Sequence, residues 1–147
     1  MKKLAPLQFV KYMLGMFNLT FFEERLLVHL KEKMDPGSLD IFEDQLSKAT
    51  RVDRIINEED DRIRQGRTLF YQPAKQIKPP RAFPGRAAKE ELLAKALVVE
   101  SDAEIEVHFV LSEGVFVGME YFSPQRRFYP RGPYEIKTVE LFPSGRN

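Results

Sequence analysis

Two stretches of the chain set arginine beside aromatic rings densely enough to make a contact surface. One is Lys78-Pro79-Pro80-Arg81-Ala82-Phe83-Pro84-Gly85-Arg86. The other is Gln125-Arg126-Arg127-Phe128-Tyr129-Pro130-Arg131-Gly132-Pro133-Tyr134. A guanidinium is a flat fork of five donors that suits carboxylates and phosphates. Aromatic rings supply large contact area and dominate interface hot spots. The interspersed prolines stiffen each stretch, so less order has to be imposed on binding. The residues that this chemistry singles out are Arg81, Phe83, Arg86, Arg126, Arg127, Phe128, Tyr129, Arg131 and Tyr134. They suit the centre of a protein–protein interface or a platform on which single-stranded bases stack. The competing reading is a pair of ordinary solvated loops, with Phe83, Phe128 and Tyr129 tucked into the core.

Nucleic acid as the partner lacks its usual signatures. No helical stretch carries a dense row of Lys or Arg, and no zinc-knuckle, RNP-type or GxxG pattern is present. Pro80 and Pro84 miss the PxxP spacing of a proline-rich ligand by one residue. A protein partner is therefore the expectation.

Catalysis has few of its ordinary parts. The chain has no cysteine and two histidines, which removes thiolate chemistry, disulfides, iron–sulfur clusters and histidine-rich metal sites. His29 falls in a helical stretch and reads as a residue of its surface or edge. His108 falls in an alternating stretch beside Glu104 and Glu106 and reads as a cross-strand partner. Those three side chains, at i, i+2 and i+4, stand ~7 Å apart along a strand, too far for one ion. Glu58-Glu59-Asp60-Asp61 lacks the spaced oxygens and the glycine of a calcium loop. There is no Walker loop, no GxGxxG and no GxSxG. No cofactor or metal is expected, and an enzyme would have to work with dispersed carboxylates in a cleft.

Charge is balanced in total and segregated along the chain. Lys plus Arg is 23 and Asp plus Glu is 22, a net +1. Residues 62 to 89 nevertheless hold eight bases and no acid, and residues 90 to 122 hold eight acids and one lysine, Lys95. Local fields of this kind matter more to binding than the total. The plainer alternative is that acidic strands pair with basic loops inside the fold.

These segments must be positioned by the elements around them. Leu7, Val10, Leu14 and Phe17 recur on one helical face over residues 6–17, with Met13 widening the stripe. Thr20 stands three residues before Glu23, the spacing of a capping box, and predicts a helix from Phe21 to about Met34. Asp35-Pro36-Gly37-Ser38 is a turn, and either Asp35 or Ser38 can cap a further helix through Leu39, Phe42, Leu46 and Ala49. The short connection makes those two helices antiparallel neighbours. Residues 50–56 and 67–71 read as a strand pair around a charged excursion, against the rival that the second helix runs on to about Arg64. Four prolines within residues 72–88 exclude a helix or interior strand there. After them, 92–100, 104–111, 115–122 and 134–142 read as strands, with Ser112-Glu113-Gly114 a hairpin turn. Strict alternation places Ile105, Val107, Phe109 and Leu111 on one face. It also opposes Val115, Val117, Met119 and Tyr121 to Phe116, Gly118, Glu120 and Phe122, and Ile136, Thr138, Glu140 and Phe142 to Lys137, Val139 and Leu141.

The expected fold is α+β, with N-terminal helices packed on one face of a C-terminal antiparallel sheet of four to six strands. The whole chain, 1–147, is read as one domain with a helical part at 1–49 and a β-rich part at 50–142. The proline-rich connection at 72–88 would divide two units if that reading failed. No apolar run approaches the ~18 residues of a membrane span. The Met1-Lys2-Lys3 opening is broken by Pro6, Gln8 and Lys11 with no small-residue cleavage site, so a cytoplasmic protein, bacterial in style, is expected. Function is read as a non-enzymatic protein-interaction module, of the build of small bacterial regulatory or toxin-neutralising proteins. The alternatives are a nucleic-acid-binding module and a small enzyme.

Overall fold

The structure, a computed structural model, describes residues 18–56, 58–59, 62, 65–73 and 78–143. The helix expected over 6–17 and the tail beyond 143 lie outside the described residues.

Helix α1 spans Phe21–Glu32 and opens with the capping box read from the sequence. Glu23 N–H donates to Thr20 Oγ1 at 3.2 Å, and Thr20 N–H donates to Glu23 Oε1 at 2.8 Å. Helix α2 spans Pro36–Lys48. Of the two candidate caps Asp35 is the one used, accepting from Ser38 N–H at 2.8 Å, with Pro36 in the first turn where no backbone donor is needed. The second helix stops at Lys48, and the chain turns extended at Ala49.

Six strands follow: β1 Arg51–Ile55, β2 Gly66–Tyr71, β3 Glu91–Glu100, β4 Glu104–Ser112, β5 Val115–Phe122 and β6 Tyr134–Leu141. They form one antiparallel sheet in the order β1-β2-β5-β4-β3-β6. The strand pair at 50–71 is therefore present. The proline-rich stretch joins β2 to β3 within a single sheet and does not part a helical half from a β-half. No described helix is long and apolar enough to cross a membrane.

One face of the sheet carries the core. Ile105, Val107, Phe109 and Leu111 of β4 are fully buried, as the alternation predicts. Strict alternation fails on the neighbouring strands, because each contains an extra residue. Across β4 and β5, Val110 pairs with Gly118 and Leu111 with Phe116, so Val117 bulges and the parity of β5 reverses there. Phe116 points inward, and beyond the bulge Met119 and Tyr121 do, since they pair with Phe109 and Val107. The bulge depends on Gly118, where a Cβ would overlap the Thr68 carbonyl oxygen. A similar slip opposite Leu97/Val98 places Tyr134, Ile136, Val139 and Leu141 of β6 inward, which corrects the Ile136–Thr138–Glu140 row expected for that strand.

The helices cover this inner face. Phe22 of α1 packs its ring against Tyr121 at 6.2 Å and Tyr134 at 5.3 Å, and Phe42 of α2 meets Phe116 at 5.1 Å. Each such aromatic, taken fully out of water, contributes roughly 1.5–3 kcal/mol. Gln45, 1% exposed, ties α2 to the hairpin. Its amide donates to Arg81 O at 2.7 Å and Gly114 O at 3.0 Å, and its oxygen accepts from Phe116 N–H at 3.0 Å.

Candidate functional site

The two arginine–aromatic stretches lie at opposite ends of the sheet. Phe83 N–H donates to Gly114 O and Glu113 N–H to Ala88 O, so the first stretch seats against the β4–β5 turn. In the second, Gln125 accepts from Glu104 N–H, and Glu100 accepts from the Arg131 and Gly132 amides, so it seats at the other end of β3 and β4. The nine residues of β4, at ~3.4 Å each, separate them by about 30 Å. They cannot form one surface.

Their side chains are engaged within the chain. Arg81 pairs with Asp40 at 3.0 Å, Arg86 with Glu91 at 2.6 Å and Arg127 with Asp102 at 2.6 Å. Arg131 pairs with Glu58, and Arg126 donates to the Glu58 carbonyl at 3.2 Å. Phe83 and Phe128 are buried, and Tyr134 is half-buried with its ring edge-on to Phe22. Phe128 N–H donates to Glu58 Oε1 at 2.8 Å. Glu58 is thus a clasp on the second loop. The buried Arg86–Glu91 pair aside, exposed pairs of this kind are worth at most about 1 kcal/mol each. They consume the donors that a partner would otherwise meet, although Arg81 and Arg131 keep more than half of their side-chain surface in solvent.

Tyr129 belongs to a polar cluster inside the fold. Glu23, fully buried, accepts from Arg54 Nε at 2.9 Å, from Thr68 Oγ1 at 2.8 Å and from the Tyr129 hydroxyl. Burial alone would raise the Glu23 pKa. Hydrogen bonds from Arg54, Tyr129, Thr20 and Thr68 outweigh it and hold the carboxyl below its usual range. Burial pushes the Tyr121 and Tyr129 hydroxyls up, so both stay neutral. With both carboxylate oxygens satisfied, the cluster joins α1 to β1, β2 and the 123–133 loop. Among the described residues no group of three or more His, Asp or Glu side chains could hold a metal ion.

The other face of the sheet is different. No described helix lies on it, and the register gives its rows, because directly paired residues share a face. One row runs Asp53, Leu69, Gly118, Val110, Leu92; the next runs Ile55, Arg67, Glu120, His108, Lys95, Glu140. A third holds Phe122, Glu106, Leu97 and Thr138, and a fourth Glu104, Val99 and Glu135. The first row is mainly apolar, the second is a belt of charge, and the third and fourth set Leu97 and Val99 among glutamates. Lys95 donates to Glu106 at 2.9 Å and His108 bonds the same carboxylate at 2.8 Å, which together hold Glu106 below its usual pKa. The His108 ring lies 4.6 Å from that of Phe122. Glu104, Glu135 and Glu140 are exposed and have no ion-pair partner among the described residues.

Two shallow hollows sit on this open face. One, of about 240 Å³, is lined by Leu69, Val110 and Gly118 together with Arg67, Lys89, Glu90 and Glu120. The second, of about 340 Å³, is lined by Leu92 and His108 and again by Glu90 and Glu120. A further groove between α1 and α2 is lined by Leu19, Leu27, Val28 and Leu46 with Glu24, Lys31 and Glu43, of which Lys31 and Glu43 pair at 3.2 Å.

The sequence pattern did not single out the open face. Its alternation is legible on β4, but the bulges at Val117 and opposite Leu97 reset which residues share it. Comparison with protein-family models, with curated proteins and with solved structures finds no match to this chain.

Proposed function

We propose that the chain is a non-enzymatic protein-interaction module that docks a protein partner with a basic contact surface on the open face of its sheet. The observation that carries this reading is the unmatched charge of that face. Glu104, Glu135 and Glu140 stand exposed around half-buried Leu97 and Val99, and Lys95, which faces Glu140 in the register, is paired with Glu106. A basic surface laid there would meet these carboxylates and cover Leu97 and Val99 between them, so that apolar contact is combined with charge complementarity. A small bacterial regulatory or toxin-neutralising protein of the cytoplasm would act in this way, by occluding its target, and would need no reaction of its own. Nucleic acid as the partner draws less support, since the arginines that would hold phosphate are paired with this chain's own acids and divided between two ends.

The test is affinity capture with three baits: the wild type, a Glu104→Lys/Glu135→Lys variant, and an Arg81→Glu/Arg131→Glu variant. The expected result is a partner retained by the arginine variant and reduced at least tenfold by the glutamate variant. Loss in the arginine variant alone, or no protein that distinguishes the baits, overturns the reading.

A further inference from the structure

Resting on the reading of the open face as a docking surface, we propose that the partner extends the sheet. An extended segment of it lies along the outer edge of β6, with basic side chains beside Glu135 and Glu140 and apolar ones beside Ile136 and Val139.

β6 is an edge strand, and among the described residues β3 is its one hydrogen-bonded neighbour. About half of the backbone N–H and C=O groups of such a strand point away from the sheet, and an added strand is what satisfies them together. The edge is held in place for this. Tyr134, Ile136, Val139 and Leu141 pack on the core, and Phe142, buried just beyond, donates its N–H to Leu93 O at 2.9 Å. The opposite edge, β1, offers five residues, with Arg51 already closed on Asp53 at 3.1 Å.

The register selects the occupant. Along β6 the open face presents Glu135, Thr138 and Glu140, opposite Val99, Leu97 and Lys95 of β3. The inner face presents Ile136 between the first two and Val139 between the last two, each partly buried. Lys137 is the extra residue at the slip and has no counterpart in β3. A segment that keeps the count of β3 sets its first, third and fifth residues beside Glu135, Thr138 and Glu140, and its second and fourth beside Ile136 and Val139. Four strand steps, about 14 Å, separate its two bases. The order is basic, apolar, polar, apolar, basic. It reads the same in both directions, so parallel and antiparallel pairing ask for one pattern. A second copy of this chain does not supply it. β6 paired with itself along its whole length sets Glu135 against Glu140 at both ends, and like charges directly opposite destabilise a strand pair. A bulge with a lysine also guards an edge against indiscriminate pairing, so a strand that docks here has to match the glutamates.

The probe is the peptide acetyl-Arg-Val-Thr-Val-Arg-amide, titrated into the ¹⁵N-labelled chain and followed by amide chemical shifts. One control is acetyl-Glu-Val-Thr-Val-Glu-amide. The other is the arginine peptide N-methylated at its three central residues, which keeps the charge and removes the backbone donors. Saturable shifts are expected along residues 134–141, with the arginine peptide binding at least fivefold tighter than either control. In Glu135→Lys/Glu140→Lys the charge preference should invert, the glutamate peptide then binding at least fivefold tighter. Equal affinity of the arginine peptide and its N-methylated form, shifts centred away from β6, a charge preference unchanged in the variant, or no binding overturns the strand addition. If the glutamate bait still loses its partner in that event, the docking face stands and only the strand addition fails.

Discussion

Replacing Glu23 by glutamine tests the interior on which every surface of this protein rests. Glu23 Oε1 accepts from Thr20 N–H and Arg54 Nη2, and Oε2 from Arg54 Nε, Thr68 Oγ1 and the Tyr129 hydroxyl. A glutamine must turn its amino group toward one of these sets. Facing Thr20 and Arg54 Nη2 it would meet groups that can only donate. Facing Thr68 and Tyr129 it can use hydroxyls that rotate to accept, while Arg54 Nε loses its acceptor. Removing one member of a buried ion pair costs about 3–5 kcal/mol. The isosteric change and the partial exposure of Arg54, 26% by side chain, place this one near about 3 kcal/mol. With an unfolding entropy of about 2.1 cal/mol/K per residue, a chain of 147 residues has about 0.3 kcal/mol/K, so the midpoint should fall by about 10 °C. Scanning calorimetry of both proteins at pH 7 measures it. A fall under about 3 °C would refute the claim that this carboxylate holds the helix to the sheet.

Acid should act through the same group. The folded Glu23 carboxyl titrates below its usual 4.5, so its contribution is complete above that pH and is lost as pH falls from there toward the folded value. The wild-type midpoint should therefore drop more steeply below pH 4.5 than that of Glu23→Gln, and parallel curves would contradict the assignment. Gln45→Leu strands three backbone partners and should cost about 3 kcal/mol by urea unfolding, against under 1 kcal/mol for a solvated glutamine. Gly118→Ala should disrupt the β2–β5 pairing by at least about 2 kcal/mol, seen as faster amide exchange at residues 67–69 than in the wild type. Arg131→Ala should change stability by less than about 1 kcal/mol, because the Glu58 pair is exposed, and a larger loss in urea would make the clasp a structural strut.

How much was legible depended on the range of the interaction. The Thr20–Glu23 box, a helix start at Asp35 or Ser38, the Gly114 turn, with φ of 80°, and the inward row of β4 are local and were readable from the residues alone. Strand faces beyond the bulges were not, since parity after Gly118 is set by a carbonyl on another strand. The arginine loops carried the right composition, but their partners Asp40, Glu58, Glu91 and Asp102 come from scattered parts of the chain. Glu23 reads as the capping-box partner of Thr20, which it is. Its second role, as acceptor for Arg54, Thr68 and Tyr129, exists only once residues 31, 45 and 106 positions away are brought together.

The chain has no cysteine, so a single introduced thiol reports one surface position. Glu104→Cys and Thr138→Cys place it on the open face, both positions exposed; Glu32→Cys places it at the end of α1, away from that face. The decisive measurement is the rate of maleimide labelling at each position, with and without the partner recovered by the wild-type bait. Slower labelling at 104 and 138, with no change at 32, is the result expected if the open face docks the partner. Slower labelling at 32 with no change at 104 and 138 would contradict it.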